Sequence, residues 1–128
     1  MALESSRSAA SSRSSPHRSW NQERVRFDSG RFDWASDARK SLEDATDALR
    51  RNRIDVLEKR LDYDRYTLVF ETRRYARVER YDSQVYTWSS DVERAANDMA
   101  RMYESRGLII LEKNIHRNSF TLSYFDPR

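Results

Sequence analysis

The chain of 128 residues has room for one domain of ordinary size, and its 38% hydrophobic content supports only a modest core. Lys and Arg together number 24 and Asp and Glu 21, so the net charge of +3 excludes a strongly basic, histone-like protein. The lack of cysteine excludes disulfides and cysteine-ligated zinc, and it predicts a reducing compartment, cytoplasmic or nuclear.

Residues 1–19 form an arm rich in serine and arginine. We predict that it is disordered when free, because it has too little apolar surface to offset the entropy of ordering. It has no apolar signal region and no later run could cross a bilayer, so no membrane is expected, while its acid-poor composition leaves organellar import open. Either the arm is a dispensable terminus or it binds a partner through Arg7, Arg13 and Arg18, with Trp20 as the anchor at its boundary.

Residues 20–128 are predicted to form a single α+β domain made of two repeats, at about 24–72 and 78–126. An offset of 54 residues brings twelve identical residues into register, where chance gives roughly three. Two of the three tryptophans, Trp34 and Trp88, coincide at this offset. The pattern therefore indicates an internal duplication.

Each repeat is predicted to have the order ββαββ. A short hairpin opens it, with strands at 24–27 and 31–34 in the first copy and at 76–81 and 85–88 in the second. A helix follows, with Ser36 or Ser90 as its N-cap and an apolar stripe at helical spacing. Gly107 provides the helix stop in the second copy, where the first has Asn52 and Arg53.

A second hairpin closes each repeat, with strands at 54–61 and 66–71 and then at 108–115 and 120–125. We expect the two repeats to pair about a pseudo-twofold axis, as in an intramolecular dimer. The predicted architecture is then one or two antiparallel sheets with two helices.

Residues for catalysis are scarce. His17 lies in the arm and His116 in a predicted turn, so neither is expected among groups that could orient it. Glu58 and Glu112 could meet at the pseudo-axis and share a metal or a proton, but we favour solvent-facing strand charges. The sequence thus predicts no enzyme activity, no cofactor, no metal site and no small-molecule substrate.

The segment 73–81 is the strongest candidate for partner binding. Strand alternation places Arg73, Tyr75, Arg77 and Tyr81 on one face and Arg80 on the other. Arginine and tyrosine are enriched in protein interfaces, and interleaved they also suit single-stranded nucleic acid. The two repeated tryptophans could be stacking platforms for bases, although we favour a core position at the corner between strand and helix.

The sequence therefore favours a non-enzymatic binding or assembly protein. We expect it to dock on a macromolecular partner, a protein or a larger assembly, through its sheet and its basic arm. The alternative is a nucleic-acid-binding protein, small and viral or regulatory, that uses the segment 73–81 and the arm.

Overall fold

The computed structural model describes residues 22–128, and the predictions for the arm and Trp20 lie outside them. Strands and helices follow one another in the order β-α-β-β-β-α-β-β. Their bounds are β1 Gln22–Asp28, α1 Ala35–Arg51, β2 Val56–Asp62, β3 Arg65–Arg73, β4 Glu79–Asp82, α2 Ser89–Ser105, β5 Ile109–Ile115 and β6 Phe120–Phe125. The predicted α+β class is confirmed.

The strands form two antiparallel sheets, with strand orders β1-β3-β2 and β4-β6-β5. Both predicted second hairpins are present as β2–β3 and β5–β6. The predicted first hairpins are wrong, because residues 31–34 and 85–88 are not strands. The turn after β1 bonds β3 instead: Thr67 Oγ1 donates to Asp28 Oδ1 at 2.7 Å, and the Tyr66 N–H donates to Ser29 Oγ at 3.0 Å. Each half of the chain is therefore βαββ.

Several elements of the two halves correspond at the offset of 54. Adding 54 to the bounds of α1 gives those of α2, and adding 54 to four of the seven pairs between β1 and β3 gives the four pairs between β4 and β6. The register shift in β2 next to Glu58 recurs in β5 next to Glu112. Two similar patterns of sequence have thus formed the same kinds of element with matching registers where both are paired.

Both helices begin one residue after a tryptophan. Trp34 and Trp88 are the N-caps, and neither side chain accepts a capping hydrogen bond. The predicted caps at Ser36 and Ser90 are wrong, because these serines already lie in the first helical turn. The backbone carbonyls of the two tryptophans accept the first hydrogen bonds of each helix.

A residue with a left-handed backbone conformation follows the end of each helix. Gly107 has a φ of 86°, as a helix stop requires, whereas Arg53 at the same place in the first half has a φ of 61°. We expect Arg53→Gly to raise the free energy of unfolding by about 0.5–1 kcal/mol, because glycine adopts this conformation without strain. Urea unfolding measures the change, and Gly107→Ala is the control that should lower stability.

We expect the free energy of unfolding to fall in acid because of the turn aspartates Asp28 and Asp82. The hydrogen bonds from Thr67 and Thr121, followed by smaller effects of neighbouring arginines, hold the pKa of each carboxyl below its ordinary value. Because the folded pKa is lowered, this stabilisation is present above about pH 4 and is lost as the pH falls through the folded pKa. In urea unfolding between pH 5 and pH 2, the double variant with Asp28→Asn and Asp82→Asn should lose stability less steeply than the native chain. An unchanged slope would contradict this assignment.

The contact between the halves is not reciprocal. Helix α1 packs on β2 and β3 of its own sheet and also on β5, whereas α2 packs on β5 and β6. A twofold axis would require α2 to pack on β2 as α1 packs on β5, and among residues 22–128 no such packing of comparable extent occurs. The predicted pseudo-twofold relation is not confirmed. The largest core cluster instead joins residues of the first half to Ile109, Leu111 and Phe125.

Two hydroxyls of the first half cover the outer edge of β5. The Lys113 N–H donates to Ser41 Oγ at 3.1 Å, and Tyr66 Oη donates to the Leu111 carbonyl at 2.5 Å. Ser41 Oγ and Tyr66 Oη lie 2.8 Å apart, so the serine hydroxyl is left to donate to the tyrosine oxygen. Two backbone groups at the outer edge of β5 are thus hydrogen-bonded by side chains instead of by another strand.

We expect Tyr66→Phe to lower the free energy of unfolding by about 1–2 kcal/mol, because the substitution leaves the buried Leu111 carbonyl without its donor. Burial raises the pKa of the Tyr66 hydroxyl above its ordinary value. The folded state therefore retains this proton more strongly than the unfolded state, and its stabilisation is lost as the pH rises above about 10. Urea unfolding at pH 7 and pH 10.5 measures both effects. Phe120→Tyr, at the matching position, is the control.

No helix within residues 22–128 is long and apolar enough to span a membrane.

Candidate functional site

A concave surface lies between the two helices. This helix groove has a volume of about 1000 Å³ and is bounded by the N-terminal halves of α1 and α2, with the end of β5 as its floor. A smaller pocket of about 310 Å³ continues it along the C-terminal halves of both helices. The two helices therefore run in the same direction along a shared groove.

Trp34 stands at the mouth of the helix groove with 69% of its surface exposed. Trp88 is 67% exposed at the corresponding point before α2. The favoured prediction of a core position is wrong for both. Because each tryptophan is the N-cap, its side chain precedes the amphipathic stripe and is not covered by the helix that follows.

A histidine and an aspartate meet at the same end of the groove. Nδ1 of His116 lies 2.9 Å from Oδ1 of Asp33. The prediction that no group could orient His116 is therefore wrong. Sequence reasoning missed the pair because the two residues come from different halves, 83 positions apart. Ser89 and Ser90 also line the groove, but within the described chain no hydroxyl is hydrogen-bonded to the imidazole.

The charges along the groove are mixed. Lys40 pairs with Asp44 at 3.1 Å, and Lys113 Nζ donates to Asn97 Oδ1 at 2.6 Å across the floor. Asp37, Glu93 and Arg117 also line the groove, and none of them forms an ion pair with another residue in the part of the chain that is described. The groove therefore offers, within residues 22–128, charges of both signs without an ion-pair partner beside an exposed indole.

Behind the groove floor lies a buried polar cluster around Glu112, which is only 4% exposed. Its carboxylate accepts hydrogen bonds from the Gly30 N–H, Asn114 Nδ2 and Ser123 Oγ, each at 3.0 Å. The prediction of a solvent-facing strand charge is wrong for Glu112 and correct for Glu58, whose side chain is 49% exposed. The two glutamates do not share a site, and residues 22–128 contain no cluster of acidic or histidine side chains suited to a metal ion.

The cluster around Glu112 is a joint between the halves. Asn114 Nδ2 also donates to the Arg31 carbonyl at 3.1 Å, so two backbone groups of the loop after β1 are bound to β5. Asn114 Oδ1 is buried without a hydrogen-bond partner. The charged group thus serves the internal packing of the chain, where buried carboxylates need several donors.

The predicted binding segment 73–81 is not one strand. It divides into the end of β3, a connection in which Tyr75 has a φ of 69°, and β4. Arg73 reaches the Asp126 carbonyl at 3.2 Å, and Arg80 pairs with Asp82 at 3.1 Å. Tyr81 lies against the ring of Phe120 at 6.0 Å. The structure therefore does not bring the predicted arginines and tyrosines together on one face.

Several residues of the segment are exposed, including Arg80, whose side chain is 69% exposed. The Tyr75 ring is 80% exposed, with the Arg74 guanidinium 5.7 Å from its centroid. Arg77 is exposed in the same connection. The other predicted partner-binding residues, Arg7, Arg13, Arg18 and Trp20, precede the first described residue.

Comparison with known proteins gave no match: no family model, no curated protein and no solved structure is similar to this chain.

Proposed function

We propose that this protein is a non-enzymatic binding or assembly protein that docks on a protein partner through the helix groove. The observation that carries the proposal is Trp34, an indole 69% exposed at the mouth of a groove of about 1000 Å³. Tryptophan is among the residues that most often dominate the energy of protein interfaces. A large exposed aromatic ring beside a concave surface is typical of a docking site.

The composition of the groove supports a protein partner. Asp37, Glu93 and Arg117 provide charges of both signs, which suits a peptide segment of mixed sequence better than a uniform polyanion. A non-enzymatic role is supported by the surroundings of His116, whose hydrogen bond is to Asp33 and not to a nucleophile. As part of the same proposal, the protein works in a reducing compartment.

An internal duplication is also proposed. Twelve identities at an offset of 54 support it, together with the equal bounds of the helices and the equal strand registers in the two halves. In a duplicated chain, Trp34 and Trp88 descend from one exposed tryptophan of the ancestral unit. The Trp34 indole lines the helix groove, whereas Trp88 is not among the residues that line it.

The groove is tested by site-specific photocrosslinking in the native host, with benzoylphenylalanine in place of Glu93 in the groove or of Tyr63, also exposed, outside it. We expect a discrete protein adduct from position 93 only, reduced at least about fivefold when Trp34→Ala is added, because loss of a hot-spot indole weakens binding strongly. Circular dichroism confirms that each variant is folded. Equal adducts from both positions, or adducts unaffected by Trp34→Ala, would remove the groove as the docking site.

The alternative function, nucleic-acid binding, is supported by the exposed Tyr75 ring with Arg74 beside it. Such a pair can stack on a base and contact a phosphate. In fluorescence anisotropy with labelled single-stranded RNA and DNA, this function predicts binding that weakens steeply with salt and falls several-fold on Tyr75→Ala. Absence of binding at low salt would reject this alternative and leave the groove proposal unaffected.

A further inference from the structure

Strand β2 is an outer strand of its sheet, and no described strand pairs with its free edge. The matching strand of the second half, β5, has its edge covered by the hydroxyls of Ser41 and Tyr66. At the offset of 54 the counterparts of these residues are Ala95 and Phe120, which have no hydroxyl. The second half therefore has no matching hydroxyls that could bond the edge of β2 in the way that Ser41 and Tyr66 bond the edge of β5.

The free edge is long and accessible. Four successive residues of β2 are exposed, including Leu57, a large apolar side chain that is 45% exposed. The counterpart of Lys59 is Lys113, whose N–H points outward to Ser41, so the equal registers of the halves direct the Lys59 N–H outward as well. Strand β4, another outer strand, has only four residues. Strand β2 is thus a suitable edge for the addition of a strand.

The sequence of β2 is complementary to itself in the antiparallel direction. When Lys59 is placed opposite Lys59 of a second copy, Glu58 faces Arg60 and Leu57 faces Leu61, and each of these pairs occurs twice. A shift by two residues in either direction places Glu58 opposite Glu58 or Arg60 opposite Arg60. The charges therefore favour one register, at the cost of a single pair of lysines at its centre.

We propose that a second copy of the chain adds to the free edge of β2 in this register. The product is a symmetric dimer with a continuous six-stranded antiparallel sheet. None of the residues that line the helix groove belongs to β2, so the dimer leaves the groove open.

Sedimentation equilibrium of the full chain over a concentration series tests the dimer. We expect a reversible monomer–dimer equilibrium with a dissociation constant on the order of 10 µM, because strand addition alone forms a small interface. Glu58→Arg and Arg60→Glu should each weaken association at least about tenfold, because each converts two attractive pairs into two repulsive ones. The double variant with both substitutions should restore it.

Further variants test whether the pairing of β2 with β2 of a second copy, and not another surface, causes the dimerisation. Lys59→Thr should strengthen the dimer several-fold by removing the like-charged central pair and adding a β-branched residue. Arg80→Glu, on the other sheet, and Trp34→Ala, in the groove, should leave it unchanged. Circular dichroism checks that every variant is folded. A monomer at all concentrations would overturn the proposal. So would a dimer whose dissociation constant is the same in the native chain, the two charge-reversal variants and the double variant.

Discussion

Glu112→Ala is expected to lower the free energy of unfolding by about 3–5 kcal/mol. The substitution leaves the Gly30 N–H, Asn114 Nδ2 and Ser123 Oγ without their shared acceptor in a site that is almost fully buried. It also removes one of the two hydrogen bonds described between the loop after β1 and β5. Urea unfolding followed by circular dichroism measures the loss.

Two matched variants identify the cause of the stability loss in Glu112→Ala. Glu112→Gln keeps the shape and one acceptor oxygen, and because the Ser123 hydroxyl can reverse its role, the expected loss is only about 1 kcal/mol. Glu58→Ala, at the same place in the first half but exposed, should change stability by less than about 0.5 kcal/mol. Equal losses for Glu58→Ala and Glu112→Ala would contradict the buried joint.

Phe70→Ala should also cost about 3–5 kcal/mol. The Phe70 side chain is fully buried, and its ring stacks on Phe125 with the centroids 5.3 Å apart. Because Phe70 belongs to the first half and Phe125 to the second, the cavity weakens a core that both halves share. We therefore expect the variant to unfold in one cooperative transition at lower urea, with no separate melting of the second half.

Tyr124 provides the matched control, since it is the counterpart of Phe70 at the offset of 54. Its ring lies near Tyr103 at 4.5 Å and is only partly buried. Tyr124→Ala should cost about 1–2 kcal/mol, because less apolar surface leaves a buried position. A loss as large as that of Phe70→Ala would mean that the two halves have equivalent cores.

Local patterns predicted the elements well. The apolar stripes predicted both helices, and the alternating runs predicted the hairpins β2–β3 and β5–β6. The first hairpins failed because the turn residues Asp28 and Ser29 favour a turn without specifying its hydrogen-bond partner. In the structure that partner is β3, which is distant in sequence.

The candidate site was much harder to predict. His116 and Asp33 come together only because α1 packs on β5, and no local pattern contains that contact. One usable signal lay in the differences between the two halves. Ser41 and Tyr66 carry hydroxyls that Ala95 and Phe120 lack, and these two positions are where the first half covers the edge of β5.

The sequence by itself determined the class of fold, the bounds of the helices to within a residue or two, and the offset that relates the halves. These features depend on periodicity, turn residues and helix stops, which act over a few positions. The tertiary structure alone decided the different burial of Glu58 and Glu112, which match at the offset of 54. Glu112 is buried because the loop after β1 packs on it and the Gly30 N–H donates to its carboxylate, whereas the Glu58 carboxylate is exposed beside Arg60 of its own strand. Similar local sequences therefore lie in different environments because of contacts between residues far apart in the chain.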